Sequence, residues 1–321
     1  MKSFILASLL VVAVSASLML EDHVALFRNF KLEHNKQYMN QAEETKRFAV
    51  FKNNLRAIEE HNALFDHGLV SYKQGVNKFT DRTSEEFKAY LGLLQKPILN
   101  TIKYVKTGYV VADSVDWREK GQVGPVKDQG HCGSCWAFSV TGSTEAAFFR
   151  KNGKLTSLSE QQLIDCVTAN YGCSGGYMNE AILYVKEKGL QTEESYPYKG
   201  IDGNCQYNSS KIVAKISDYV SIVKDESALL EAVATIGPTS VNIDASFLGA
   251  YHSGIYEDKW CSPDAINHVV LVVGYGTDNG EDYWIAKNSW GSDWGENGFF
   301  RIKRGANQCG IAEECIYPLI N

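Results

Sequence analysis

The sequence predicts an α+β fold in which a helical half and a strand-rich half follow a separate helical region. A run with helical spacing extends from Cys135 to Arg150, and the chain up to about Tyr207 is mostly helical in pattern. Beyond Ser217 the pattern changes to short apolar runs typical of strands, at residues 240–243, 269–274, 283–287 and 299–303. Helices followed by strands indicate the α+β class, here with a β-barrel-like second half and a cleft between the halves.

Composition and the N-terminus limit the possible partners. The 321 residues are 44% hydrophobic, with a net charge of −6 and no basic run, so nucleic acid is not expected as a partner. Lys2 precedes an apolar run from Phe4 to Val14, and small residues follow, which predicts a secretory signal peptide over residues 1–16. No other segment is long and apolar enough to cross a bilayer, so no membrane partner is expected. Export makes the eight cysteines candidates for disulfides.

The region from residue 17 to residue 110 contains one long predicted helix. Six residues separated by 4, 4, 3, 4 and 4 positions share one of its faces: Glu43, Arg47, Phe51, Asn54, Ile58 and Asn62. On this pattern alone the segment is simply an amphipathic helix. Residues 94–111 follow with Pro97, Gly108 and no clear period, which indicates a linker. Later in the chain, residues 159–163 read SEQQL and indicate the start of another helix.

Residues 129–139 read QGHCGSCWAFS and are the most informative stretch of the chain. Small residues precede the helical run, so Cys135 is predicted at a helix N-terminus, where unpaired N–H groups and the helix dipole favour a thiolate. A nucleophilic cysteine is one interpretation. The spacing of Cys132 and Cys135 is also compatible with half a zinc site, a redox pair or a disulfide framework.

Two downstream segments decide between these interpretations. His268, in NHVVLVVGYG, follows Cys135 by 133 residues, and Asn288, in KNSWG, follows it by 153. A nucleophilic cysteine needs a histidine as base and a further residue that orients the histidine. These three elements in order favour nucleophilic catalysis over zinc or redox chemistry, so we expect neither a metal nor a cofactor.

The same residues resemble the papain family of cysteine peptidases, whose local signature C-G-[SA]-C-[WY] is matched at residues 132–136. The long-helix face matches the ERFNIN motif of cathepsin L-like propeptides, and residues 75–81 match the G-x-N-x-F-x-D motif. The resemblance implies an inhibitory propeptide over residues 17–110 and a mature papain-like peptidase over residues 111–321, with processing between Val110 and Asp113. Phe27 and Phe30 stand where relatives often carry tryptophans, and we expect apolar packing to survive.

The resemblance also implies roles in the cleft. Cys135 and His268 would form a thiolate–imidazolium pair that attacks peptide bonds. Asn288 would hold the imidazole in place, and Trp290 would cover that contact. The side-chain amide of Gln129 and the backbone N–H of Cys135 would form the oxyanion hole.

Substrate contacts follow from the same resemblance. Gly175 and Gly176 would pair with extended substrate, and Trp294 would lie on the leaving-group side. The pocket for the second residue before the cut (P2) would be lined by Tyr177, Met178, Asn242, Val269 and Glu314. Relatives mostly carry a small apolar residue at position 314. A glutamate there resembles enzymes that accept arginine as well as phenylalanine, so we expect apolar or aromatic P2 residues with arginine tolerated. The alternative is that Glu314 turns to solvent like Glu313.

Cysteine pairing cannot be derived from the sequence, because eight cysteines allow 105 full pairings. The resemblance pairs Cys132 with Cys173, Cys166 with Cys205, and Cys261 with Cys309. With Cys135 as nucleophile, Cys315 is left over and is expected to be a buried, inert thiol. Asn208 opens a glycosylation sequon.

The resulting expectation is a monomeric cathepsin L-like cysteine endopeptidase made as an acid-activated zymogen, since no exopeptidase-type insertion is found. An inactive homologue that binds or stores, and a proteinase inhibitor, are the competing hypotheses. Expected partners are protein and peptide substrates, the chain's own propeptide and cystatin-type inhibitors. The expected location is the secretory pathway, either lysosomal or secreted, with the gut lumen included.

Charge favours docking of the propeptide near neutrality. Residues 17–110 carry 14 Lys and Arg against 11 Asp and Glu, whereas residues 111–321 carry 17 against 27. We therefore expect protonation of carboxylates between about pH 5 and 3 to weaken docking.

Overall fold

The structure is a computed structural model that describes residues 22–95 and 101–320. The predicted signal peptide and Pro97 lie outside the described residues. Within these two ranges, no helix combines the length and the apolar character that crossing a membrane requires.

The N-terminal region is a small helical unit, as predicted. It contains α1 (residues 22–33), α2 (Gln41–Asp66), β1 (Tyr72–Gln74) and α3 (Ser84–Lys88). Asn40 caps α2 by accepting a hydrogen bond from the N–H of Glu43 at 3.0 Å. The predicted face of α2 is confirmed, with Phe51 buried against Phe27 and Phe30. Phe27 and Phe30 therefore fill this core with apolar packing, as expected.

The helical half that follows contains α4 (Cys135–Asn152), α5 (Glu160–Cys166) and α6 (Met178–Glu187). The N-cap of α5 is Ser159, whose hydroxyl accepts from the N–H of Gln162 at 3.0 Å, so the prediction from SEQQL is correct. Most of α4 is buried because it lies between the other helices and the sheet. Gly153 ends α4 in the left-handed conformation.

The strand-rich half forms one large sheet. This sheet includes β1 of the N-terminal region. Its other strands are β2 (Ile102–Lys103), β3 (Val115–Asp116), β6 (Asp218–Ile222), β7 (Thr239–Ile243), β8 (Tyr251–Tyr256), β9 (His268–Asp278), β10 (Glu281–Lys287), β11 (Phe299–Lys303) and β12 (Cys315–Leu319). The strand order is β1-β8-β11-β10-β9-β7-β12-β6-β2, with β3 beside β9. All four predicted strand runs are confirmed. A separate pair is formed by β4 (Leu190–Gln191) and β5 (Ile212–Ala214), and the strand-rich half also holds one helix, α7 (Glu226–Thr235).

The linker is held against the strand-rich half. Within it, β2 pairs in parallel with β6, and both the N–H and the hydroxyl of Thr107 donate to Glu231, at 2.8 and 2.6 Å. The sequence contained no signal for this attachment, because the pairing depends on a partner strand more than 100 residues away.

Two apolar cores meet where α4 packs on β9. One core fills the strand-rich half and the other fills the helical half. At their junction, the hydroxyl of Ser139 donates to the carbonyl of Val270 at 2.8 Å. This packing places the N-terminus of α4 beside the start of β9.

Candidate active site

Cys135 is the first residue of α4, as predicted. The disulfide between Cys132 and Cys173 fixes the loop that leads into the helix. The Cys135 thiol is fully buried, and burial raises its pKa to about 11. The backbone N–H groups of Val269 and Gly92 reach the sulfur and oppose that rise.

His268 is the first residue of β9 and lies at the same junction. Its Nε2 donates to Oδ1 of Asn288 at 2.8 Å, since an amide oxygen can only accept. The Trp290 ring stacks on the imidazole, with centroids 4.8 Å apart and an interplanar angle of 29°. Nδ1 of His268 has no hydrogen-bond partner among the described residues. Burial lowers the pKa of His268 to about 4, although the bond to Asn288 acts in the opposite direction.

These two pKa shifts favour a neutral thiol and a neutral imidazole. Both shifts arise because the N-terminal region keeps water away from the two side chains. Removal from water disfavours the charged form of each group. The thiolate–imidazolium pair stays a prediction, and it concerns the cleft once water has access to both groups.

Residues 92–94 of the N-terminal region lie in the cleft. The N–H of Leu94 donates to the carbonyl of Gly176, and the N–H of Gly176 donates to the carbonyl of Gly92, both at 2.9 Å. On the opposite wall, the N–H of Leu93 donates to the carbonyl of Asn267 at 3.1 Å. The predicted glycine strip is thus paired with a peptide segment of the chain itself.

Glycine residues make this close approach possible. A Cβ atom on Gly92 would lie 1.8 Å from the carbonyl oxygen of Gly133, and one on Gly175 would lie 2.8 Å from the carbonyl oxygen of Gly92. Any side chain at position 92 would therefore push the segment away from Cys135.

Gln129 is fully buried and aims its amide at a peptide carbonyl. Its Nε2 donates to the carbonyl of Tyr90 at 2.9 Å and to that of Cys132 at 2.8 Å. Its Oε1 accepts from the hydroxyl of Ser289 at 2.6 Å, which fixes which end of the amide faces the cleft. Tyr90 belongs to the N-terminal region. A backbone carbonyl of that region therefore accepts the hydrogen bond that the Gln129 amide is predicted to give to the oxyanion.

The residues predicted to line the P2 pocket are partly brought together. Asn242 lies directly opposite Val269 in the β7–β9 pair. Nδ2 of Asn242 donates to Oε2 of Glu314 at 3.1 Å, and Glu314 is half-buried, which favours the inward orientation over the solvent-facing alternative. Burial raises the pKa of Glu314 to about 7, although the bond from Asn242 opposes the rise. Met178 is buried in the same apolar core as Val269. Tyr177 is half-buried beside it at the start of α6.

Two phenylalanines of the N-terminal region cover Trp290, a contact that could not be predicted from the sequence. Phe79 and Phe87 of the N-terminal region meet Trp290 edge-on, with centroids 5.3 and 5.4 Å away. Trp294 is also buried and meets Trp290 edge-on at 4.8 Å. Phe79 belongs to the G-x-N-x-F-x-D motif, which was the available signal.

His131 is a further residue that the sequence analysis did not single out. The hydroxyl of Tyr90 and Nδ1 of His131 share a hydrogen bond of 2.5 Å, and the two ring centroids lie 5.3 Å apart. Burial lowers the pKa of His131, and the nearby cations Arg82, Lys36 and Lys78 lower it further. All three cations belong to the N-terminal region, so His131 lies at the boundary between that region and the cleft.

All three predicted disulfides are present, between Cys132 and Cys173, Cys166 and Cys205, and Cys261 and Cys309. Cys315 is free and buried, and burial raises its pKa.

Asn208 is exposed, and its side-chain oxygen accepts from the N–H and hydroxyl of Ser210. Among the described residues, no group of three or more His, Cys, Asp or Glu side chains is arranged to hold a metal ion.

The fold and the covered cleft are those of a cysteine protease in precursor form. The profile of the papain family cysteine protease matches residues 111–319, and that of the cathepsin propeptide inhibitor domain matches residues 27–87. Cathepsin L of Sarcophaga peregrina is 45% identical and covers 100% of both chains. Digestive cysteine proteinase 1 of Homarus americanus is 44% identical over 92% of this chain and 94% of its own.

A solved structure agrees with these sequence relatives. Digestive procathepsin L 3 from the larval midgut of Tenebrio molitor is 44% identical, with a TM-score of 0.88 over 93% of this chain and 99% of that chain. The chain belongs to the papain family of cysteine proteases. It is a cathepsin L-like cysteine endopeptidase that carries its own propeptide as an intramolecular inhibitor.

Proposed function

We propose that removal of residues 17–110 opens the cleft and releases the mature endopeptidase, residues 111–321. Support comes from the junction, where Val110 is 89% exposed and Tyr109 is exposed as well. An exposed, extended segment is what a protease needs for cleavage. The proposed boundary lies between Val110 and Asp113.

In the opened cleft, Cys135 and His268 exchange a proton to become a thiolate and an imidazolium. Water reaches both groups once residues 92–94 leave, and each charge then stabilises the other. The observation that carries this proposal is the fixed orientation of His268, whose Nε2 is held by Asn288 and whose Nδ1 remains free for the thiol.

The reaction then follows from the positions of these groups. The Cys135 thiolate attacks the scissile carbonyl, and the resulting oxyanion takes the place of the Tyr90 carbonyl at the amide of Gln129. His268 gives its proton to the leaving amine as the C–N bond breaks. Water, deprotonated by His268, next attacks the thioester; as the C–S bond breaks, the acid leaves and the Cys135 thiolate is restored beside the protonated His268.

Labelling of the two free thiols tests this proposal. After acid processing, an epoxide that alkylates active-site thiols should label Cys135 stoichiometrically and abolish peptide hydrolysis. Cys135→Ala should remove both labelling and activity. Cys315→Ala is the matched control, because the second free thiol is equally buried but lies outside the cleft, and this variant should retain both. Labelling of Cys315 instead, or residual activity in Cys135→Ala, would contradict the proposal.

We also propose that Glu314 lets the P2 pocket accept arginine beside apolar and aromatic side chains. Its carboxyl group points inward against Asn242, and Val269 and Met178 supply the apolar wall. A carboxylate pairs with a guanidinium only when ionised. In the precursor, burial raises the pKa of Glu314 to about 7. The pairing therefore fades as pH falls from about 7 towards the ordinary glutamate pKa of about 4.3.

Glu314→Gln should remove this pH dependence while keeping the size of the side chain. For the wild type, the ratio of kcat/KM for Arg-Arg over Phe-Arg dipeptide substrates should rise between pH 5.5 and 7.5. The variant should show a low, constant ratio. Equal ratios for the two enzymes at pH 7.5 would show that Glu314 does not contact the P2 side chain.

The expected biological setting follows from the relatives, which are named cathepsin L or digestive cysteine proteinase. We propose a monomeric protease of the secretory pathway, lysosomal or secreted, that degrades proteins and peptides and is inhibited by cystatin-type proteins. The exposed Asn208 is its proposed glycosylation site.

A further inference from the structure

Among the residues that the structure describes, strand β8 lies at an edge of the sheet that the propeptide covers. In the strand order of the described residues, β1 is the terminal strand and β8 follows it. Because β1 belongs to the propeptide, its removal leaves β8 with one row of backbone donors and acceptors unpaired. Such an edge is a template for an added strand.

The pairing of β1 shows what this edge accepts. Tyr72 lies opposite Gly254 in antiparallel register. Beyond the strand ends, the N–H of Ile255 donates to the carbonyl of Ser71 at 3.1 Å and the N–H of Gly75 donates to the carbonyl of Ala250 at 2.9 Å. The edge therefore binds an extended segment about five residues long through its backbone.

Gly254 allows the added strand to approach closely. It has φ +98, and a Cβ atom there would lie 2.6 Å from the carbonyl oxygen of Ser71 and 2.8 Å from Cα of Tyr72. The close approach requires glycine at this position of the mature enzyme.

The side-chain pocket at this edge accepts an aromatic ring. Tyr72 is 3% exposed, with its ring 4.8 Å from that of Tyr256 and 6.2 Å from that of Tyr251. His61 of the propeptide covers the other face of Tyr72 at 4.3 Å. After processing, the two tyrosines of the mature enzyme remain as an open half-pocket.

Two exposed aromatic residues of the mature enzyme lie beside the propeptide at this edge. Phe247 is 49% exposed and Trp260 is 70% exposed in the precursor, and both line a groove together with Asp258, Lys259 and propeptide residues 68–72. Removal of the propeptide therefore exposes more of this apolar surface, and aromatic surface of this kind suits a peptide that carries an aromatic side chain.

We propose that, in the processed enzyme, the β8 edge binds an extended segment of the protein substrate that carries an aromatic residue. This inference rests on the proposed function, since it requires the propeptide to leave. It assigns a second contact to substrates already held in the catalytic cleft.

The edge is close enough to the reacting groups for one chain to reach both. Ring centroids are separated by 5.7 Å from Tyr251 to Trp294, 4.8 Å from Trp294 to Trp290, and 4.8 Å from Trp290 to His268. Tyr251 and His268 are therefore at most about 15 Å apart in a straight line, so the shortest connection is about five extended residues. Trp294, which the family resemblance assigns to the leaving-group side, lies between them, so the bound segment belongs on that side of the scissile bond.

Linked substrates test the proposal with the wild-type processed enzyme. One quenched fluorogenic peptide contains only a Phe-Arg cleavage core. A second carries, after a six-residue Gly/Ser linker on the leaving-group side, the sequence of residues 70–76, VSYKQGV. Two matched controls carry Tyr72→Ala, which removes the ring, or Lys73→Pro, which removes a backbone N–H in the paired stretch.

The linked peptide should have a KM about three- to tenfold below that of the core, with kcat unchanged, because the second contact acts at high effective concentration. Both control peptides should lose the gain. Equal KM values for all four peptides, or a gain that survives Tyr72→Ala, would overturn the proposal. Failure to cleave the core alone would instead refute the proposed function, so the two failures are distinguishable.

Discussion

Gln129→Ala should lower kcat for peptide amides about 100- to 1000-fold, while KM changes little. The reason is geometric, since the Gln129 amide is locked by Ser289 and already donates to a backbone carbonyl in the precursor. A donor fixed before the reaction stabilises the oxyanion more than it stabilises the neutral carbonyl of the substrate. Its loss therefore appears in the rate of the chemical step.

The variant needs controls because it cannot be relied on to process itself. Wild-type enzyme should be used to remove its propeptide, and thermal unfolding should show that the fold is intact. Ser289→Ala keeps the amide but removes its anchor, so this matched variant should lie between wild type and Gln129→Ala in kcat. A decrease of less than tenfold in Gln129→Ala would show that the amide is not an oxyanion donor.

Elements with a strong local pattern could be predicted from the sequence. Helix α2 was visible because one face repeats from Glu43 to Asn62 within its 26 residues, and β9 because a continuous apolar run marks a strand buried on both faces. Helix α7 was missed although Asp225 caps it by accepting from the N–H of Ala228 at 2.9 Å. A ten-residue apolar segment resembles a strand as much as a helix, and only packing decides.

The candidate site residues could be proposed from the sequence, but their burial could not. Motif and spacing single out Cys135, His268 and Asn288. Their enclosure by residues 92–94 is a tertiary effect, and this burial is what favours a neutral thiol and a neutral imidazole in the closed form. In the same way, the raised pKa of Glu314 depends on how deeply β12 and β7 enclose it, and no neighbouring residue in the sequence signals this.

Acid should accelerate opening of the precursor, and the structure adds a histidine to the expected carboxylates. Carboxylates pair with propeptide lysines across the boundary, as Asp128 does with Lys78 at 2.6 Å. Glu86 is not among them, since it pairs with Arg47 within the propeptide, and its bonds to Thr83 and Arg47 lower its pKa to about 2 against the effect of burial. His131 is a further titratable group at the same boundary.

His131 should therefore contribute to release as pH falls. It faces the Tyr90 hydroxyl, the cations Arg82, Lys36 and Lys78, and the opposing carboxylate of Asp128. Its pKa is lowered in the docked form, so the undocked form binds more protons. Docking is then fully stabilised above the ordinary histidine pKa of about 6.5 and weakens as pH falls through that value towards the lowered one.

His34 of the propeptide acts in the same direction. Burial lowers its pKa despite the carboxylates of Glu33, Asp293 and Asp81, and Lys36 also lowers it. A variant at position 131 should therefore remove part of the pH dependence rather than all of it.

His131→Gln tests the assignment because glutamine can still accept from Tyr90 but does not titrate. The measurement uses Cys135→Ala precursors, which cannot cleave themselves, and follows hydrogen exchange at the Leu93 and Leu94 amides between pH 7.5 and 4.5. Corrected for intrinsic exchange, these amides should lose protection on acidification, and the loss should be smaller in His131→Gln. His67→Gln is the matched control, since His67 lies exposed at the end of α2. The Leu93 and Leu94 amides donate to Asn267 and Gly176, so their exchange reports directly on whether residues 92–94 have left the cleft. If both variants follow the wild-type profile, protonation of His131 does not drive release.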